Sequence, residues 1–174
     1  CEMISFFVNK TYYGVMAKLE PVNKTMLKKW GFDGSGSLYK CFNELKAEQN
    51  IYDHEKKLGD ITDYSDIQEL VNFIHRTDLS ASEFKTAADE LIDINEVLDW
   101  YAINVLQNNM DIPAKNYYLY KPEGGKWNWL PWDYDLSMGR HWDDGFWNMS
   151  IQTDDPIDGG TIMSPKVDDL FNIL

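Results

Sequence analysis

Residues 108–139 read NNMDIPAKNYYLYKPEGGKWNWLPWDYDLSMG, and this stretch decides how the rest of the chain is interpreted. The segment 116–120 is rich in aromatic residues and predicts a β-strand, and the turn-forming residues 122–125 then reverse the chain. A second strand is predicted over 126–131. Because neighbouring strands lie about 4.8 Å apart, a hairpin brings the residues before its first strand close to those after its second.

Acidic and amide side chains stand at both of those places. Asp111 and Asn116 open the stretch, and Asp133 and Asp135 close it. Phosphoryl transfer uses one carboxylate to orient the attacking hydroxyl, and an amide oxygen and a second carboxylate to hold a metal against nucleotide phosphates. Protein kinases also place Asn five residues after the catalytic Asp. The pattern predicts Asp111 as the base, Lys115 as a cation near the transferred group, and Asn116, Asp133 and Asp135 as metal ligands.

The same residues resemble a known family, the spore-coat protein H (CotH) kinases. Members have a similar Asn/Asp segment, an N-x-x-LY strand and a PWD-x-D signature, which here correspond to 111–116, 117–120 and 130–139. The resemblance implies an atypical secreted protein kinase that uses ATP and Mg²⁺ or Mn²⁺ to phosphorylate Ser/Thr of a protein partner. It also implies a location outside the cell or on the cell or spore surface. Asp133 matches the signature acid and is favoured over Asp135 as the main ligand.

The N-terminal part is predicted to be β-rich. Residues 3–20 alternate like a hairpin with its turn at 9–10, and a short helix is predicted over 21–30. Gly34 and Gly36 follow in a glycine-rich segment whose backbone amides could approach phosphate. A flexible turn is an equally good interpretation, because the segment lacks the ending of a Walker loop.

Lys40 is assigned by the resemblance. It ends the sequence Leu-Tyr-Lys, which is similar to the LYK strand whose lysine binds the nucleotide phosphates in the family. Such a lysine usually needs an acid to orient it. Glu20 is the first candidate for that acid, and Glu44 is the alternative.

Residues 46–107 are predicted to be helical. Helix starts are indicated where Ser or Asp is followed three positions later by Gln or Glu, at Ser65–Gln68, Ser80–Glu83 and Asp93–Glu96. The third helix carries an apolar stripe and leads the chain to Asp111.

Length and charge limit the remaining possibilities. A chain of 174 residues with 44% hydrophobic residues fits about one globular domain. A net charge of −13 disfavours a nucleic-acid partner. Solubility is the favoured explanation of this charge, and a basic protein substrate is the alternative. The Ser/Thr acceptor that the resemblance implies makes a Ser-rich substrate suitable. No apolar run approaches the roughly 18 residues that span a bilayer.

We expect an α+β, atypical protein-kinase-like fold with a small β-rich lobe and a helical lobe. The single domain would cover 1–174 and be incomplete, since both ends are abrupt. It would comprise a nucleotide lobe at 1–45, a helical segment at 46–107, and the catalytic hairpin with the following segment at 108–174.

The alternative function is a non-catalytic cell-surface or spore-coat module that binds a partner or a carbohydrate. Five of the seven Trp residues fall between Trp127 and Trp147 and could form a carbohydrate platform, although packing around the site is favoured. Only the kinase requires ATP and metal together.

Overall fold

The computed structural model describes residues 2–46, 50–107, 109 and 115–138. The chain divides into two compact units, residues 1–34 and 35–174. The predicted base Asp111 and the segment after Met138 lie outside the described residues.

The first unit contains the predicted hairpin and short helix. Strand β1 (Glu2–Val8) pairs antiparallel with β2 (Thr11–Lys18). Asn9 and Lys10 between them have φ of 48° and 69°, which is the pair of left-handed residues that a tight hairpin turn requires. Helix α1 (Lys24–Lys29) follows, and its first turn is capped by the side chain of Asn23.

The second unit is built on a four-stranded antiparallel sheet. Its strands are β3 (Ser37–Cys41), β4 (Glu55–Leu58), β5 (Tyr117–Lys121) and β6 (Asn128–Pro131), in the order β4-β3-β5-β6. The hairpin predicted in the deciding stretch is therefore present as β5 and β6, and β5 lies at the centre of the sheet.

Strand β4 corrects the prediction that residues 46–107 are helical throughout. It follows a single 3₁₀ turn (Ile51–Asp53) and has the sequence Glu-Lys-Lys-Leu, whose residues all have good helix propensity. Pairing with β3 overrides that propensity, because the edge of β3 is otherwise left without backbone partners.

The described part of this unit also contains three helices, α2 (Ser65–Ile74), α3 (Ala81–Leu91) and α4 (Ile94–Leu106). The predicted capping box at Ser80 is formed, since Glu83 N donates to Ser80 Oγ and Ser80 N donates to the Glu83 carboxylate. Asp93 caps α4 as predicted, by accepting from Glu96 N at 3.3 Å.

The capping box predicted at Ser65 and Gln68 is wrong. Ser65 is the first helical residue, and Tyr64 before it makes no side-chain cap. Asp63 substitutes, because its carboxylate accepts from Ser65 N at 2.9 Å. In the predicted box the Gln68 side chain would accept from Ser65 N, and Asp63 takes that place.

The core lies between one face of the sheet and the helices. The sheet contributes Tyr39, Cys41, Tyr117, Leu119, Trp127 and Trp129, and the helices contribute Ile67, Leu70, Phe73, Phe84, Val97 and Trp100, among others. Trp127 and Trp129 are thus core residues, which confirms the packing role for these two. The α+β class is confirmed. None of the described helices is long and apolar enough to cross a membrane.

Candidate functional site

One end of the β5–β6 hairpin gathers two of the predicted metal ligands. Tyr117 and Pro131 form the last pair of the ladder. Asn116 directly precedes this pair, and Asp133 follows it by two residues. Both leave the sheet at the same end, as the hairpin pattern predicts, and metal binding by these residues stays a prediction.

Both residues have left-handed backbones. The φ angle is 67° at Asn116 and 60° at Asp133. Asn and Asp are the residue types other than Gly that adopt this conformation most readily, at a cost of about 1 kcal/mol each. Asn116 and Asp133 therefore place two strained backbone positions at the same end of two adjacent strands. Backbone strain of this kind concentrates at functional sites.

Lys40 lies in the same sheet. Strand β3 pairs with β5, and Lys40 is opposite Tyr118, two positions inward from Asn116. Its Nζ lies 5.0 Å from the centroid of the Phe42 ring, and the side chain is partly exposed. The register therefore brings the predicted phosphate lysine and the predicted ligands Asn116 and Asp133 to one end of one sheet.

A buried ionic group fixes the strand that carries Lys40. The Tyr39 hydroxyl donates to Asp66 Oδ1 at 2.5 Å, and Lys56 Nζ lies 3.7 Å from the same oxygen. Only 3% of the Lys56 side chain is exposed. Burial, followed by the neighbouring Asp66, raises the pKa of Tyr39 well above its usual range, so the hydroxyl stays a donor. This group ties β3, β4 and α2 together.

The two acids proposed to orient Lys40 are each paired with another lysine. Glu20 Oε1 accepts from Lys29 Nζ at 2.9 Å inside the first unit, and this contact is the main cause of a lowered pKa for Glu20. Glu44 lies 2.6 Å from Lys46. Whether either acid orients Lys40 remains a prediction.

Sequence reasoning missed Glu55, which is the acid directly across from Lys40 in the β3–β4 ladder. Paired residues of neighbouring strands place their side chains on one face of the sheet. The charge of Glu55 also contributes, after burial, to raising the pKa of Tyr118, the next residue across. Glu55 contacts Lys57 at 2.6 Å as well. The missing signal was β4 itself, because without that strand the register could not be drawn.

Gly36 and Gly34 each have a local structural cause. Both have positive φ, 72° and 71°. A Cβ on Gly36 would lie 2.1 Å from the carbonyl oxygen of Lys121, so only Gly allows the backbone of 35–37 to approach the β5–β6 turn. A Cβ on Gly34 would lie 3.0 Å from the side chain of Lys28. A phosphate contact at either glycine remains a prediction.

Residues 1–172 match the family described as CotH kinase protein. The chain belongs to this family. The inner spore coat protein H of Bacillus subtilis (strain 168) is 33% identical over 88 residues, which is 50% of this chain and 24% of that protein. The chain therefore corresponds to a minor part of that relative's length. The family resemblance of the deciding stretch is confirmed.

The residues predicted as metal ligands in the CotH chain all carry oxygen donors. Asn116 offers an amide oxygen, and the exposed Asp133 and Asp135 offer carboxylates in the loop after β6. Oxygen-only donor sets suit Mg²⁺ or Mn²⁺. Within the described ranges, no group of three or more His, Cys, Asp or Glu side chains is close enough to hold a metal by itself. Nucleotide phosphates would have to supply further ligands.

Lys115 and Asp111 complete the predicted set in this CotH chain. Lys115 is exposed and directly precedes Asn116, so it stands at the same end of the sheet. Its role beside the transferred phosphoryl group stays a prediction. Asp111 falls outside the described residues, and its role as the base stays a prediction from the sequence.

Proposed function

We propose that this CotH chain is an atypical protein kinase that transfers the γ-phosphoryl group of ATP to Ser/Thr of a protein substrate. One observation carries the proposal. Asn116 and Asp133, both left-handed, leave adjacent strands at the same end of the sheet that carries Lys40. A lysine, an amide and a carboxylate gathered in this way are the groups that bind nucleotide phosphates and their metal in kinases.

Each residue has a distinct part in the proposed reaction. The Lys40 ammonium binds the nucleotide phosphates as a point charge. Asn116 and Asp133, with Asp135, would hold Mg²⁺ or Mn²⁺, which neutralises phosphate charge when bound. Asp111 orients the acceptor hydroxyl and takes its proton, and Lys115 offsets charge on the transferred group.

The net charge of −13 favours a basic acceptor protein. A Ser-rich, Lys-rich peptide is therefore a suitable acceptor for testing the activity. From the name of the Bacillus relative, we propose a location at the cell or spore surface for the protein that contains this chain.

The proposal is tested with γ-labelled ATP, Mn²⁺ or Mg²⁺, and that peptide. We expect metal-dependent transfer to the peptide or to the chain itself. Asp133→Asn should abolish most transfer and weaken nucleotide binding in calorimetry, while the melting temperature stays unchanged. ATP binding that is equally strong in EDTA, or transfer that survives in a folded Asp133→Asn protein, would remove the site as assigned.

A second function, that of a non-catalytic surface module, is favoured by the hairpin β1–β2. Its strands expose large apolar side chains, including Tyr13 at 70% and Met3 at 67% of their surface. Large apolar side chains exposed together on one hairpin are typical of interaction sites. This function requires no nucleotide, so a chain that binds neither ATP nor Mn²⁺ in calorimetry would support it over the kinase.

A further inference from the structure

Asn104 is a fully buried amide in an otherwise apolar part of α4. Its exposed fraction is 0%, and the other buried residues of α4 are Val97 and Trp100. The Asn104 side-chain Nδ2 donates to the backbone oxygen of Trp100 at 2.7 Å, one turn back along the helix. A polar side chain in such a place is disfavoured unless each of its groups has a partner.

The other half of the Asn104 amide holds Asn109. Asn109 Nδ2 donates to Asn104 Oδ1 at 3.1 Å, and Asn109 N donates to the Asn104 backbone oxygen, also at 3.1 Å. Asn109 is itself 0% exposed. Two contacts therefore fix the backbone and the side chain of a residue that stands two positions before Asp111.

The loop after β6 reaches the same helix end. The Tyr134 side chain, between Asp133 and Asp135, lies beside Asn104, and its hydroxyl is buried without a hydrogen-bond partner among the described residues. Four residues further on, Met138 N donates to the backbone oxygen of Gln107 at 2.7 Å. The last turn of α4 thus contacts both the segment that enters β5 and the segment that leaves β6.

We propose that Asn104 is the positioning residue of this site, a single buried amide that sets where the Asn109 segment and the Asp133–Asp135 loop stand relative to each other. It touches neither nucleotide nor acceptor. Its effect on catalysis rests on the proposed kinase function, whereas its effect on the position of the loop does not.

The physical reason lies in what an apolar residue would do instead. Leu at position 104 would fill the same space and suit the core, but it could not hold Asn109 by a directed hydrogen bond. Apolar contacts are non-directional, whereas an amide accepts and donates along defined lines. A satisfied buried amide therefore contributes a defined arrangement more than net stability.

The test compares Asn104→Leu with the double variant Asn104→Leu/Asn109→Leu. The single variant removes the acceptor of Asn109 Nδ2 and should lower the melting temperature. The double variant removes the donor and the acceptor of this bond together, which costs less stability than removing one of them. We expect the double variant to recover its melting temperature without recovering function.

Two readouts separate position from stability. Amide hydrogen exchange across 132–138 should speed up at least about tenfold in both variants, since the contacts that order the loop weaken. The kcat for peptide phosphorylation should fall roughly 10- to 100-fold, with KM for ATP changed less, because small misplacements act on the transition state.

Asn128→Leu is the matched control. Asn128 is also a buried amide, on β6, but it is paired with Tyr120 near the β5–β6 turn, at the other end of the hairpin. Its Nδ2 donates to Lys126 O at 2.8 Å. Asn128→Leu should leave both the hydrogen exchange of 132–138 and kcat unchanged.

Asn104→Thr serves if the double variant fails to fold. Thr can keep the bond to Trp100 but cannot reach Asn109, so this variant should repeat the Asn104→Leu result.

The outcomes are distinct. Wild-type exchange and kcat in the stable double variant, or in Asn104→Thr, would overturn the proposal. Faster loop exchange in those variants supports it, even if the wild-type chain shows no phosphotransfer. In that last case only the proposed kinase function fails.

Discussion

The two hairpins of this chain are both rich in aromatic residues but have opposite surroundings. Both β1–β2 and β5–β6 are antiparallel. In β1–β2 most side chains are exposed on both faces, whereas Tyr117–Tyr120 of β5 are all buried. The difference comes from neighbours, because β5 has a strand on each side and helices across one face. Aromatic alternation predicts a hairpin, but it does not predict what covers it.

The largest expected difference concerns a truncation in each hairpin. Trp127→Ala should lower the free energy of unfolding by about 3–5 kcal/mol, because Trp127 has no exposed surface and the lost volume lies in the core. Tyr13→Ala should change it by less than about 0.5 kcal/mol, because Tyr13 is mostly exposed. Urea unfolding followed by circular dichroism measures both. A large loss in Tyr13→Ala would show that β1–β2 is covered in the folded protein.

The second comparison concerns two residues with left-handed backbones, Asn9 between β1 and β2 and Asp133 after β6. Asn9→Gly relieves a positive φ and should keep or raise the free energy of unfolding, by up to about 1 kcal/mol. Asp133→Gly relieves the same strain but also removes the contacts of the side chain, so its net change should stay within about 1 kcal/mol. Only Asp133→Gly should cost phosphotransfer, by about 100-fold or more, since it alone removes a proposed ligand carboxylate. Melting temperature and labelled-ATP transfer are measured on the same samples. Normal transfer in Asp133→Gly would mean that this left-handed residue serves the turn and not the chemistry.

Lowering the pH should reduce the stability of the second unit through protonation of His54. This side chain is 1% exposed, and neither ring nitrogen has a hydrogen-bond partner among the described residues. Burial lowers the pKa of His54, so the unfolded chain takes up the proton first. Stability from this group is complete above about pH 6.5 and is lost as the pH falls below that value.

Chemical denaturation at a series of pH values measures this effect. His54→Leu should flatten the fall in stability just below pH 6.5 and leave the acid-driven loss at lower pH in place. An unchanged pH profile in that variant would exclude His54 as its cause. Hydrogen exchange assigns the loss to a unit, and we expect faster exchange in β3–β6 before any change specific to β1–β2, which contains no His.

The smallest expected effect is on the KM for ATP, and it distinguishes Glu55 from Glu20 as the acid that orients Lys40. Glu55→Gln should raise KM for ATP by roughly 2- to 5-fold, because Glu55 is opposite Lys40 and partly exposed pairs contribute modestly. Glu20→Gln removes the acid predicted from the sequence, and its partner in the structure is Lys29. Steady-state kinetics compare the two. A larger rise in Glu20→Gln than in Glu55→Gln would restore the original prediction.

The sequence predicted most features that depend on nearby residues. Both hairpins, the caps at Ser80 and Asp93, and the shared location of Asn116 and Asp133 follow from turn and cap residues within a few positions. Strand β4 was missed, because pairing with a distant edge overrides the helix propensity of Glu-Lys-Lys-Leu. Without β4, Glu55 could not be found.

Asn104 was hidden for another reason. The apolar stripe predicted for this helix did not include Asn104 and was partly wrong, because Leu98 and Leu106 of that stripe are 47% and 82% exposed. The residues that α4 buries are Val97, Trp100 and Asn104. The contacts of Asn104 with Asn109 and Tyr134 depend on where two distant segments return to α4. Only the tertiary structure supplies that information.

The sheet order has a consequence for how the protein is made. Strand β3 must wait for β5, its central partner, until a strand and three helices have been synthesised between them. During that time one edge of β3 offers free backbone groups to any other chain. Pairings between such distant segments also form slowly. Lys40 and Asn116 are therefore brought to the same end of the sheet only late in folding. A chain interrupted before β6 would expose an unpaired strand edge that can bind other chains, and it would lack the assembled site.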